Sequence, residues 1–200
     1  VRFVLMEMGT GVGEYEEAMG RMPASYADLE ALPENVVGEL IAGELYVSPR
    51  PASRHALASS RLGALLVASF DLGARGLGGW VILDEPELHF RDDVLVPDLG
   101  GWRRERMPVF PDVAAFELAP DWACEVLSPS TARLDRELKL PVYAREGVGH
   151  LWLLDPLARR LEVLRLEGGH YTLLAMHEGT ARVGAEPFEP LELELALLWG

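Results

Sequence analysis

The sequence predicts an α/β fold: a central mixed β-sheet flanked by helices, with β-hairpins added at both ends. Three observations predict it. Trp122 to Leu127 carries two rows, Trp122, Cys124 and Val126 on one face and Ala123, Glu125 and Leu127 on the other. Apart from Glu125 both rows are apolar, as in a strand covered on both sides. A helical pattern from about Thr131 to Glu146 and a strand at His150 to Asp155 follow, so this stretch reads as two parallel strands joined by a crossover helix. Alternating segments on either side turn at Ile41-Ala42-Gly43 and at Glu167-Gly168-Gly169, as hairpins do.

Taken in order, residues 1–20 are acidic and Gly-rich without a clean period, and are expected to form a flexible extension to a single domain over residues 21–200. Ser25 caps a short helix to Leu32, and Val36–Leu40 and Glu44–Ser48 form the first hairpin. Pro49-Arg50-Pro51 breaks the chain before a helix capped by Ser53 and running from Arg54 to Leu72, with Leu57, Leu62, Leu65, Leu66 and Phe70 on one face. Trp80–Leu83, Glu87–Arg91 and Val94–Trp102 read as three strands. Pro108–Pro120 is a Pro-rich connection, Leu161–Leu166 and His170–Met176 form the last hairpin, and the final FEPLELELALLW suits either an edge strand or a closing helix.

Composition bounds the function. Two hundred residues, nearly half of them apolar, suffice for a sizeable core. One cysteine permits no internal disulfide, and no apolar run approaches a membrane span, so a cytoplasmic protein without a membrane partner is expected. A net charge of -14 argues against a generic nucleic-acid binder and confines any such contact to local Arg clusters. Five scattered histidines and one cysteine exclude a thiolate metal site.

The chemistry-bearing residues lie around the central strand. A lone carboxylate at Glu125 in an otherwise apolar strand is expensive unless it is paired, hydrogen-bonded or bound to a metal. At the usual rises, Glu125 lies roughly 7 Å before the strand end and Lys139 roughly 12 Å into the next helix. After a short turn the two stand at similar height. Leu134, Leu138 and Val142 face the sheet and Lys139 borders them, while Pro141 is expected to kink the helix nearby. The plainer reading of Lys139 is an exposed ion pair with Asp135, worth about 0.3 kcal/mol. Yet seventeen of the eighteen basic residues are Arg and Lys139 is the only lysine. Lys differs from Arg as a compact donor whose pKa can move.

Asp98 follows Pro97 in the third strand and precedes Glu125 by one loop and one strand, so two neighbouring strands can converge their acids. Arg103 and Arg104, with Arg106, offer phosphate contacts or a solvated loop. His55, in the first turn of its helix, reaches phosphate or substrate in one reading and is a surface histidine in the plainer one. Glu39 and Glu44 flank the first hairpin tip, most simply as solvated charge.

VLVPDLGGWRRER and WACEVLSPSTARLDRELKLPVYAREGVGHLWLLDP resemble the signature of the Uma-two family, a branch of the PD-(D/E)xK nuclease superfamily with the restriction endonuclease-like fold. GELIAGELYVSPRPASRHA resembles that family's first hairpin and helix start, and the resemblance spans Met22 to Met176. It implies a metal-dependent endonuclease hydrolysing DNA, with Asp98 and Glu125 as ligands of Mg or Mn and Lys139 as the catalytic lysine. The lysine that the superfamily places two residues after the second acid is Leu127 here, and Lys139 on the following helix takes its place. The Val126 carbonyl would be a further ligand and Glu44 a further acid. A homodimer is expected if both strands are cut. The alternative is a catalytically inactive nuclease-like module that binds or regulates a partner.

Overall fold

The structure, a computed structural model, describes residues 3–5 and 23–200. Most of the stretch expected to be a flexible extension lies outside the described residues. Its residues 3–5 form a strand, β1 (Phe3–Leu5), in parallel register with a later one.

Helix α1 (Tyr26–Glu30) starts at Ser25, where Asp28 returns its carboxylate to the Ser25 N–H in a capping box. β2 (Val36–Ile41) and β3 (Glu44–Pro49) form the expected hairpin, with both turn residues, Ala42 and Gly43, at positive φ as a two-residue turn demands. Gly38 lets α1 and the turn after it lie directly on β2, since a Cβ there would collide with the Leu32 side chain and stand 3.3 Å from Leu29 Cγ. Helix α2 (Ser53–Leu66) begins one residue earlier than the sequence suggests, with Ala52 rather than Ser53 at its N-cap. It continues as a π turn, Val67–Asp71.

β4 (Trp80–Asp84) and β5 (Leu88–Phe90) follow, but the third expected strand is two strands, β6 (Asp93–Leu95) and β7 (Leu99–Arg103), in different sheets. The break falls at Val96-Pro97-Asp98, so Asp98 stands in the link and not within a strand. Pro97 has no N–H to give a ladder, and the Val96 N–H bonds the Glu39 carboxylate instead. β8 (Trp122–Val126) is parallel to β9 (His150–Asp155), and the helical crossover between them comprises α3 (Ala132–Leu134), a π turn (Asp135–Lys139) and α4 (Leu140–Arg145). β10 (Arg160–Glu167) and β11 (His170–Glu178) form the last hairpin. The C-terminal stretch supplies both alternatives read for it: β13 (Leu193–Glu194), paired with β12 (Arg182–Val183), and α5 (Ala196–Trp199).

The mixed six-stranded sheet runs β11-β10-β9-β8-β7-β4, and a second, five-stranded sheet runs β1-β3-β2-β6-β5. The first hairpin is therefore part of its own sheet and does not extend the central one. Each row of β8 enters a separate core. Trp122, Cys124 and Val126 pack with Leu62 and Leu66 of α2 and with the C-terminal segment. Ala123 and Leu127 pack with Leu134, Val142 and Tyr143 of the crossover.

Phe188 closes the first core, its ring 4.7 Å from Phe70, 4.8 Å from Trp80, 5.0 Å from Trp122 and 5.7 Å from Trp152. Phe188→Ala is expected to cost about 3–5 kcal/mol, read as a lower urea midpoint with an unchanged slope. On the surface, Arg136 forks onto both oxygens of Glu162 at 2.8 and 2.7 Å and, through that hydrogen bond, holds the Glu162 carboxyl below its usual range. A depressed carboxyl stabilises the fold above its unfolded pKa and loses that contribution as pH falls through the folded one. Glu162→Gln should therefore cost up to about 1 kcal/mol at pH 7 and almost nothing at pH 3, in urea melts at both pH values.

Candidate active site

Three elements bring their acids to one ammonium. Glu125 on β8 is 1% exposed because it sits in the middle of the covered strand. Glu39 comes from β2 in the other sheet, and Asp135 from the π turn one helical repeat before Lys139. Lys139 Nζ lies 2.9 Å from Glu39 Oε1, 2.9 Å from Glu125 Oε1 and 3.4 Å from Asp135 Oδ1. The expected alignment of Glu125 with Lys139 is thus a direct contact. The ion pair with Asp135 exists as well, but it is buried, with Lys139 2% exposed and Asp135 3%.

The π turn explains how the helix accommodates Pro141. Proline cannot donate to the helical ladder and its ring crowds the preceding turn. The chain widens before it, the Leu140 N–H reaching back five residues to the Asp135 carbonyl, and Pro141 falls at the start of α4. Asp135, Lys139 and Tyr143 then form one stripe at four-residue spacing. Tyr143, wholly buried, donates its hydroxyl to Glu125 Oε1 at 2.5 Å.

Asp98 stands at the β6–β7 link, one residue ahead of the Leu99–Cys124 pair and so beside Glu125. Its Oδ2 accepts the Val126 N–H at 2.7 Å, and its Oδ1 lies 3.2 Å from His55 Nε2. His55 is therefore no free surface residue: the first turn of α2 carries it over the carboxyl end of β8. Ser128 Oγ, which accepts the Thr131 N–H and contacts the Ser130 and Thr131 hydroxyls, shapes the turn on the opposite wall. A pocket of about 400 Å³ opens above these groups, at the carboxyl ends of the parallel strands where α/β sheets place their ligands.

Burial and charge set the protonation here. Burial pushes the Glu125 carboxyl well up, against the pull of Lys139. It also raises Asp135 to about 6, again with Lys139 opposing. Burial works against the Lys139 charge, but Glu125, Glu39 and Asp135 together outweigh it and hold the ammonium firmly protonated. His55 is likewise raised, since the Asp98 hydrogen bond and charge outweigh its desolvation. Glu125 and Asp135 retain protons because they are buried and because the pocket is crowded with acid: five carboxylates line it, Glu39, Glu85, Asp98, Glu125 and Asp135, against the Lys139 ammonium and the Arg50 guanidinium at the rim.

The other sequence candidates lie elsewhere. Glu44 is exposed at the hairpin tip, where it accepts a bond from the Tyr46 hydroxyl. The hairpin acid in the pocket is Glu39, one strand across. Arg103 ends β7 and Arg104 follows it, at the opposite end of the strand from Asp98. Arg103 lies 4.7 Å over the Trp80 ring, and Arg104 pairs with Asp71, whose other oxygen takes the Ile82 N–H. Both arginines are thus held by the scaffold and neither borders the pocket. Asp135, Tyr143 and Glu39 were missed as site residues.

The family model described as "Putative restriction endonuclease", Uma2, matches residues 23–198. The chain belongs to the Uma2 family. A solved structure from Anabaena variabilis ATCC 29413, "a putative nuclease belonging to DUF820", is similar to this Uma2 chain with a TM-score of 0.69 and 24% identity, over 88% of this chain and 98% of that one. That likeness establishes the shared fold. No curated protein matches the chain. No helix among the described residues of the Uma2 chain is long and apolar enough to cross a membrane.

Removing the ammonium tests the network. Lys139→Met leaves buried carboxylates uncompensated and is expected to cost about 3–5 kcal/mol at pH 7. The carboxyls, their folded pKa values raised further, then oppose folding increasingly as pH rises. The deficit in urea melts should therefore shrink from pH 7 to pH 5, and Glu125→Gln added to Lys139→Met should restore part of it.

Proposed function

We propose that this Uma2 chain is a metal-dependent endonuclease that hydrolyses phosphodiester bonds of DNA. The observation that carries this reading is the meeting of Asp98, Glu125 and the sole lysine, Lys139, at one pocket. Family membership supports the nuclease class.

The donor set suits a hard divalent cation, since Asp98, Glu125 and the Val126 carbonyl offer only oxygen. Among the described residues no three Asp, Glu, His or Cys side chains form a ready cage. Mg is ordinarily held by one or two carboxylates, with water and substrate phosphate completing the shell. The surplus of carboxylates over ammonium in the pocket is also what a bound cation would offset. Asp98 and Glu125 would hold Mg or Mn, which supplies Lewis acidity and a bound water of lowered pKa.

The chain's own residues do the rest. Tyr143 and Lys139 fix the Glu125 carboxylate from one side, and the Val126 N–H and His55 fix Asp98 from the other. Lys139 is held protonated and so is no general base. Its task is to orient the attacking water by hydrogen bond and to stabilise the charge that develops on the phosphoryl oxygens. Water adds to phosphorus and gives up a proton, one ester P–O bond breaks, and the leaving oxygen takes up a proton in its place.

One observation favours a non-catalytic module: Lys139 already has three carboxylate partners without any ligand. Calorimetric titration decides between the two. Mg or Mn is expected to bind the wild type, and Asp98→Asn and Glu125→Gln, both folded by circular dichroism, to lose that binding and all metal-stimulated cleavage of DNA. Equal metal binding by Asp98→Asn would overturn the assignment.

A further inference from the structure

We propose that the substrate enters as a single DNA strand rather than as an intact duplex, with Arg50 holding a phosphate beside the scissile one. The inference rests on the nuclease reading above and names the form of substrate for that same site.

The first ground is access. The side chains of Glu125, Lys139 and Glu39 are 2%, 3% and 6% exposed, and that of Asp98 is 14% exposed. Among the described residues, the opening that leads to them is the pocket of about 400 Å³, between the Pro49-Arg50-Pro51 stretch at the end of β3 and the Ser128–Thr131 turn after β8. A duplex is stiff, with a persistence length of about 50 nm, and its phosphates lie on a convex surface flanked by paired nucleotides. Bringing one of them to the floor of a recess costs a duplex bending or local unpairing. A single strand bends at every nucleotide and can present one phosphate end-on without that cost.

The second ground is charge. Duplex binders neutralise about 6–10 phosphates with basic side chains. Among the described residues that line this pocket, the only exposed basic group is Arg50. Its Nη2 donates to the Glu34 carbonyl at 2.8 Å, which fixes the guanidinium at the rim while most of its five donors remain for a phosphate. Arg103, Arg104 and Arg106 could have formed a second track, but they lie at the far end of β7, and Arg104 and Arg106 are paired with Asp71 and Asp121. The mouth is otherwise largely apolar, with Pro49, Pro51, Pro129 and Leu157 around it, and carries Glu85 as an exposed acid. Such a rim suits sugars and unstacked bases and gives a paired duplex backbone little to hold. A cutter of single strands also works with one active site per target.

The test is fluorescence anisotropy with a labelled deoxyribo-oligonucleotide of about 16 nucleotides, alone and annealed to its complement, in Mg or Mn, with cleavage followed on gels. The single strand is expected to bind at least tenfold more tightly than the duplex. Arg50→Gln should weaken single-strand binding and lower the slope of log affinity against log salt by about 0.7. Equal or tighter binding of the duplex, or no binding of the single strand, would overturn the inference. Cleavage of duplex as fast as single strand would overturn it too, while leaving the nuclease reading intact. Tight, Arg50-dependent binding of the single strand without cleavage in either metal would uphold the strand preference and defeat the nuclease reading.

Discussion

The ammonium of Lys139 ties three separate parts of the molecule to one point. It touches β2 of one sheet through Glu39, β8 of the other through Glu125, and its own π turn through Asp135. A buried charge is tolerated only when partners surround it, so the network fixes how the two sheets meet at this point. Lysine suits that role better than arginine. Three carboxylates converge on one compact, tetrahedral donor, whereas a planar guanidinium pairs best with one carboxylate at a time. A chain that uses Arg at its seventeen other basic positions keeps Lys at the one where the geometry asks for a point charge.

The scaffold serves this junction in two ways. The strand that would have run straight from β6 into β7 is interrupted at Pro97, and the freed groups at the break are reused. The Val96 N–H goes to Glu39, and the Asp98 carboxylate caps the Val126 N–H. The same break sends the chain from one sheet into the other. On the helix side, Pro141 forces a π turn that widens the backbone just where Asp135 and Lys139 must share one face. Both irregularities come from prolines, and both deliver an acid or its partner to the pocket.

Much of this was legible in the sequence, by a single rule: an acid alone in an apolar strand must have a partner. The rule found Glu125. Applied evenly it also finds Glu39, which stands among Val36, Val37, Leu40 and Ile41, and would have preferred it to Glu44 beside the turn. The stripe of Asp135, Lys139 and Tyr143 was also present as a four-residue spacing, hidden because charged helix faces are usually solvated. Other features were not legible. The division of the strands between two sheets depends on tertiary pairing, such as the Leu40–Val94 contact, that no local pattern encodes. The fate of Arg103 and Arg104 depends on Trp80 and Asp71, one strand and one helix away. Local periodicity gives elements and faces, while the partners of long charged side chains are decided by the assembled fold.

The pocket carries more charge than structure alone requires. A buried ion pair contributes little to stability compared with apolar residues of the same shape, and an architectural junction needs one acid for one ammonium. Here three carboxylates face a single lysine, with Asp98 beside them, and burial pushes two of the three upward, Asp135 to about 6. That surplus opposes folding at neutral pH, because a carboxyl whose folded pKa lies above its unfolded one costs stability once it must ionise. Sequences keep such local conflicts mainly where a site needs them. Asp98 and Glu125 line the opening, where the proposed cation, entering from solvent, would offset that surplus most directly. The burial that makes the surplus costly also strengthens whatever attraction that cation and a substrate phosphate would feel within the pocket.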